Sequence, residues 1–212
     1  MRRARRGLFL VLEGLDGAGT TTQAERLAAW LAGRGRKVHV TAEPSRGPVG
    51  AQIRQILSGR LRGGGGAEVD AGVLALLFAA DRLDHWESEI RPRLDAGVDV
   101  VSDRYVLSSL AYQSTTTGDP AWVAAVNSRA PSPDLTLFLR VRPAVALRRR
   151  YAATAEREIF EVPDIQRRVH RAYGRALAGL VRAGEQVVEV DGEEDVASVT
   201  AALARAVERL LP

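Results

Sequence analysis

Five short apolar runs rich in aliphatic and β-branched residues alternate with longer stretches of helical periodicity. That alternation restricts the chain to a parallel sheet covered by helices on both faces, a doubly wound α/β fold. The runs are Leu8 to Glu13, Lys37 to Ala42, Val98 to Ser102, Leu135 to Val141 and Gln186 to Val190. Between them Ala24, Leu27, Ala28 and Leu31 recur at helical spacing, as do Ile165, Val169, Tyr173, Ala176, Leu177 and Leu180. Val196, Val199, Leu203, Val207 and Leu210 form a third such stripe, and each stripe marks a face turned toward the core. A long helical pattern from Val73 to Leu94 stops near Gly97 and follows a flexible connector, Gly63 to Gly66. At 212 residues the chain reads as one domain, 1–212.

Composition narrows the function classes. Cysteine is absent, which removes disulfides, thiolate metal sites and thiol nucleophiles. No apolar run reaches the length of about 18 residues that a membrane span needs, and the basic start Met1 to Arg6 leads into only a short apolar stretch. The expectation is a cytoplasmic protein with no membrane contact. Lys37 is the only lysine among 30 basic residues, so arginine carries nearly all the positive charge. Acidic residues are interleaved with it and aromatics make up only 5%, which argues against a nucleic-acid partner.

Directly after the first run stands Gly14-Leu15-Asp16-Gly17-Ala18-Gly19-Thr20-Thr21, followed by Thr22 and a helical pattern. A strand, a glycine-rich turn and a helix start together offer backbone N–H groups and the positive end of a helix dipole to a polyphosphate. A hydroxyl such as Thr21 can ligate a magnesium ion there. The motif demands lysine where Thr20 stands.

Three further segments carry chemistry. Val101-Ser102-Asp103-Arg104-Tyr105, with Ser108, Ser109, Tyr112 and Gln113 beyond it, lies at the carboxyl end of a central run, where open parallel sheets bind ligands. Phe78 and Arg82 fall four residues apart and share one helix face, a pairing suited to stacking on a flat heterocycle and donating to a ring carbonyl. Glu43-Pro44-Ser45-Arg46-Gly47-Pro48-Val49-Gly50 forms a turn just past the second run.

Taken together these segments resemble the thymidylate kinase family of P-loop nucleoside-monophosphate kinases, over nearly the whole chain. The run Leu10 to Gly19 is similar to that family's P-loop, and the segment around Asp103-Arg104-Tyr105 is similar to its signature. The resemblance implies phosphoryl transfer from ATP to dTMP, giving dTDP and ADP for dTTP synthesis, with Mg2+ as the metal. It implies that Gly14, Asp16, Gly17, Ala18, Gly19, Thr20, Thr21 and Thr22 cradle the ATP phosphates, with Thr21 and Asp103 at the metal. By the same resemblance Arg104 holds the monophosphate, Tyr112 lies against the sugar, and Phe78 with Arg82 recognises thymine. Asp16, Glu43, Arg46 and Ser108 complete the substrate side, with Glu43 positioning Arg104 or a metal-bound water. A short lid near 152–158 carries Arg157, the expected stand-in for the absent lysine, with Arg150 as the second choice. Homodimerisation through helices on one side of the sheet is implied as well.

Three positions depart from the family pattern: Thr20 for lysine, Ala42 where arginine is common, and Arg140 where aspartate is more usual. The residues leave open a nucleotide-binding homologue without turnover, since the P-loop charge is missing. They also leave open a kinase for another nucleoside monophosphate, since a pocket of Phe78 and Arg82 suits any pyrimidine.

Overall fold

A computed structural model describes residues 6–153 and 163–211. Five strands, β1 (Phe9–Gly14), β2 (Val38–Ala42), β3 (Asp99–Asp103), β4 (Leu135–Arg140) and β5 (Val187–Asp191), form one sheet. All neighbouring pairs run parallel, in the order β2-β3-β1-β4-β5. Each strand lies within one residue of the run that foretold it.

Successive β1 side chains leave the sheet on opposite faces, as the strand period of two requires. Leu10 and Leu12 join the larger core with Leu27 and Leu31 of α1 (Thr20–Ala32) and Leu203 and Val207 of α9 (Val196–Glu208). Phe9 and Val11 join a second core with Ile90, Leu94, Val100 and Tyr105. Burial on both faces explains why β1 reads as a continuous apolar run rather than an alternating one.

The remaining helices are α2 (Pro48–Leu57), α3 (Ala71–His85), α4 (Arg91–Asp95), α5 (Val106–Thr117), α6 (Pro120–Val126), α7 (Pro143–Ala153) and α8 (Pro163–Arg182). Asp70 caps α3 by accepting from the N–H groups of Gly72 and Val73. The Val73 to Leu94 pattern resolves into α3 and α4 joined by one π-helical turn, Trp86–Ile90. Such a turn adds a residue without breaking the rod. No helix among the described residues is long and apolar enough to cross a membrane.

The sheet order sets the site. β1 lies between β3 and β4, so crossovers leave it in both directions and a crevice opens at its carboxyl end. Registers Leu12↔Asp103 and Gly14↔Leu139 bring the glycine turn level with the end of β3. Lys37 precedes β2 at the opposite end of the sheet, where its carbonyl accepts from Asp99 N–H at the start of β3. The only lysine is therefore remote from the crevice.

Candidate active site

The turn after β1 is shaped by glycine. Gly17 and Gly19 take φ of 86° and 94°, left-handed values that L side chains avoid. At Gly17 a Cβ would lie 2.2 Å from the Ala146 carbonyl oxygen and 3.2 Å from Arg150 Cβ, so α7 sits directly on the loop. Gly19 heads α1 with no side-chain cap, leaving the first N–H groups of the helix facing the crevice.

Thr21 Oγ1 donates to Asp103 Oδ2, joining the start of α1 to the end of β3. The other oxygen, Asp103 Oδ1, is buried without a protein partner. A hydroxyl, a carboxylate and an unmatched acceptor suit Mg2+, which takes one or two protein oxygens and fills its octahedron with water and phosphate. No group of three or more His, Cys, Asp or Glu residues placed to hold a metal occurs among the described residues. A phosphate-assisted Mg2+ site does not require one.

Arg104 is the only non-glycine with positive φ among the described residues, at 75°. That conformation costs on the order of 1–3 kcal/mol and must be held by its surroundings. The guanidinium donates from Nη2 to Asp16 Oδ1 at 2.7 Å. From Nη1 it donates to Gly14 O at 3.0 Å, Ser108 Oγ at 3.0 Å and Tyr173 OH at 3.3 Å. Its side chain keeps 18% exposure, facing the cleft. Tyr112 OH accepts from Asp16 N–H at 3.1 Å, and burial, followed by the Asp16 charge, pushes its pKa up, so the phenol stays protonated.

Glu13 is wholly buried behind this arginine. It accepts from Tyr105 N–H at 2.8 Å, Ser108 N–H at 3.1 Å, Ser108 Oγ at 2.5 Å and Tyr173 OH at 3.3 Å. Burial pushes its carboxyl from 4.5 up to about 7, against the lowering pull of Ser108, the Arg104 charge and the two N–H groups. Glu13 thus fixes Ser108 and Tyr173, the two hydroxyls that meet Arg104.

In front of Glu13 and Tyr173, the glycine loop, Thr21, Asp103, Arg104, Ser108 and Tyr112 line a cleft of about 540 Å³. The structure brings Asp16, Gly17, Gly19, Thr20, Thr21, Thr22, Glu43, Phe78, Asp103, Arg104, Ser108 and Tyr112 to its walls. Gly14 enters through its carbonyl contact with Arg104, while Ala18 is buried in the larger core beneath the loop. Thr20 is buried in the lysine position. Arg157 and most of the expected lid lie outside the described residues.

Three expected site residues have their side chains engaged or placed away from the cleft in the structure. Arg82 does not face the cleft beside Phe78: at 1% exposure, its Nε donates to Glu43 Oε2 at 2.9 Å. Its Nη1 donates to Asn127 Oδ1, and its Nη2 to Tyr105 O at 3.2 Å and Ser109 Oγ at 3.0 Å. All three of its nitrogens are engaged by protein. Glu43 accordingly pairs with Arg82, and with His85 Nδ1 at 3.4 Å, rather than with Arg104. Arg46 is exposed and lies off the cleft, because Asp81 holds the preceding Ser45 by its N–H at 2.7 Å and its hydroxyl at 2.6 Å. Arg54 of α2 lines the cleft wall there, donating to the Pro44 and Ser45 carbonyls.

Sequence reasoning also missed the positioning roles of Glu13, Tyr173 and Gln166, whose Nε2 donates to Asp16 Oδ2 at 3.2 Å. Tyr173 was legible only as one member of a core stripe.

A glycine-rich loop, a threonine–aspartate pair for a metal and an arginine clamp at one end of a parallel sheet define a P-loop nucleotide-binding phosphotransferase. A family model described as thymidylate kinase matches residues 12–202. A "Probable thymidylate kinase" of Thermococcus kodakarensis is 37% identical over 209 residues, covering 96% of this chain and 98% of its own. Proteins of the same name from Pyrococcus horikoshii and Pyrobaculum aerophilum are each 38% identical. The first match covers 94% of this chain and 97% of the relative, the second 95% and 98%. The chain belongs to the thymidylate kinase family.

Proposed function

We propose that the chain transfers the γ-phosphoryl group of ATP to dTMP, giving dTDP and ADP. The observation that carries this reading is the convergence, within one cleft, of the glycine loop, the Thr21–Asp103 pair and the Arg104 clamp, with Phe78 on the wall. The donor lies along the loop and the helix start. Thr21 and Asp103 would hold Mg2+, which when bound would neutralise part of the charge on the phosphates.

On the acceptor side, Arg104 and Arg54 bind the monophosphate, since a guanidinium fork matches phosphate oxygens. Phe78 stacks on the pyrimidine, and Tyr112 packs at the sugar edge where a 2′-hydroxyl would lie. Arg82 acts from behind, holding Glu43 and Ser109 in place. The acceptor is already an anion, so catalysis rests on alignment and charge rather than on a general base.

A homodimer is part of the proposal. Val73, Leu76 and Leu83 stand 48%, 50% and 36% exposed at helical spacing along α3, an apolar face that a second copy would cover. A cytoplasmic setting fits a chain without cysteine. Thr20 favours one other reading, a homologue that binds both nucleotides without turnover.

The deciding assay is coupled ADP release with dTMP, dUMP, UMP and dGMP, in Mg2+ and after its chelation. The expected result is Mg2+-dependent turnover that is fastest with dTMP. Binding of ATP and dTMP without turnover would establish the silent homologue, and a UMP rate equal to the dTMP rate would overturn the substrate assignment.

A further inference from the structure

Arg104 keeps a left-handed backbone that a residue with a side chain adopts only when its surroundings impose it. The hold comes from both sides of the residue. Its N–H donates to Leu12 O at 2.8 Å on the neighbouring strand β1. Its carbonyl oxygen accepts from Ser102 Oγ at 2.8 Å, two residues back in the chain. The next N–H, that of Tyr105, donates to Glu13 Oε1 at 2.8 Å. Ser102 and Glu13 are both fully buried, so water does not compete for these contacts.

The same Glu13 oxygen closes the start of α5. That helix opens at Tyr105 without a side-chain cap of its own, whereas Asp70, Asp119 and Asp195 cap α3, α6 and α9 from the residue just before each helix. Glu13 Oε1 accepts from Ser108 N–H at 3.1 Å as well as from Tyr105 N–H, so β1 caps α5 from 95 and 92 positions away in the chain. Leu12 and Glu13, adjacent on β1, thus grip Arg104 and the helix that follows it. Without that grip the backbone at Arg104 would relax to the negative φ that L residues prefer, and the guanidinium would leave its bearing on Asp16 and Ser108.

We propose that Glu13 and Ser102 are positioning residues for the acceptor phosphate, holding Arg104 left-handed and so aiming its guanidinium into the cleft. Neither residue lines the cleft itself. The proposal rests on the reading that Arg104 binds the monophosphate of dTMP. Losing the hold would lower the fraction of molecules with Arg104 correctly aimed, and the apparent affinity for the phosphate would fall with that fraction. The cap at position 13 needs an oxygen that accepts from two N–H groups, and a carboxamide supplies one as a carboxylate does.

The test compares Glu13→Leu, Glu13→Gln and Ser102→Ala by equilibrium binding of dTMP, thymidine and Mg2+·ATP. Glu13→Leu keeps a side chain of similar bulk and removes the acceptor. It should weaken dTMP binding about 10-fold or more, while thymidine, which lacks the phosphate, and ATP bind as they do to the parent. Ser102→Ala releases the Arg104 carbonyl and should shift dTMP binding in the same direction by roughly 3- to 10-fold. Glu13→Gln should recover most of the affinity that Glu13→Leu loses. In turnover the loss should fall on the KM for dTMP and leave the KM for ATP unchanged. A role in stability alone would lower the melting temperature with no phosphate-specific change.

Parent-like dTMP binding by folded Glu13→Leu or Ser102→Ala overturns the proposal. So does a parallel loss of dTMP, thymidine and ATP binding, or a Glu13→Gln variant as impaired as Glu13→Leu. Thermal melts identify the folded variants, and if Glu13→Leu does not fold, Ser102→Ala decides alone. Should the parent bind dTMP no more tightly than thymidine, the acceptor reading of Arg104 fails by itself, and amide hydrogen exchange then judges the hold. The Arg104 and Tyr105 N–H groups should exchange about 10-fold faster or more in Ser102→Ala than in the parent, and equal rates would sink the idea.

Discussion

Arg82→Met separates a structural guanidinium from a substrate-facing one. The Arg82 and Glu43 side chains are 1% and 2% exposed, so the substitution strands a carboxylate in the interior with His85 Nδ1, at 3.4 Å, as its remaining basic neighbour among the described residues. It also removes donors from Asn127, Tyr105 O and Ser109. Breaking one side of a buried ion pair costs about 3–5 kcal/mol, because desolvation of the remaining charge is no longer offset. For a chain of this size that corresponds to a fall in Tm of roughly 6–20 °C. The double variant Glu43→Gln/Arg82→Met removes the stranded charge and should recover part of the loss. Urea unfolding with an unchanged slope, together with thermal melts, measures both. If Arg82→Met melts like the parent and only the KM for dTMP rises, the guanidinium belongs to base recognition and the buried network described here is wrong.

Two further outcomes are expected. Glu13 has a folded-state pKa near 7 against 4.5 unfolded, so the folded protein holds a proton that the unfolded chain has released. The resulting stability is complete below pH 4.5 and is lost as pH rises through 7; its size is of order 3 kcal/mol. Melting curves from pH 5 to 8 should show that decline, and Glu13→Gln should flatten it; identical profiles would sink the assignment. Leu76→Arg puts a charge into the apolar face of α3 and should convert a dimer to a monomer in light scattering at micromolar concentration. A monomeric parent refutes that interface.

The strands were legible because aliphatic runs bounded by turn residues leave little freedom. The expected Leu8 to Glu13 and the observed Phe9–Gly14 differ by one residue. The glycine loop was legible because positive φ leaves its mark in composition. The pairing of charged groups was not. Phe78 and Arg82 share a face by spacing, yet spacing does not say that Glu43, Asn127 and Ser109 converge on Arg82 from three distant segments. Arg54 sits on α2 beside the buried Ile53, Ile56 and Leu57, and its own helix marks it as solvent-facing. Only the return of the Glu43–Ser45 turn makes that solvent the cleft. Arg46 is the residue the resemblance offers, because Ala42 stands where the family's loop commonly carries arginine.

The β1–β3 register has a mechanical consequence. The glycine loop continues β1 and Arg104 follows β3, and Arg104 N–H donates to Leu12 O at 2.8 Å across that pair. The spacing of the two backbones that carry the loop and Arg104 is therefore set by the distance between hydrogen-bonded strands, about 4.8 Å, and not by side-chain packing. Helices can shift and loops can open without stretching this ruler. Substitutions that loosen the flanking cores should make the enzyme fragile long before they make the reacting groups miss each other.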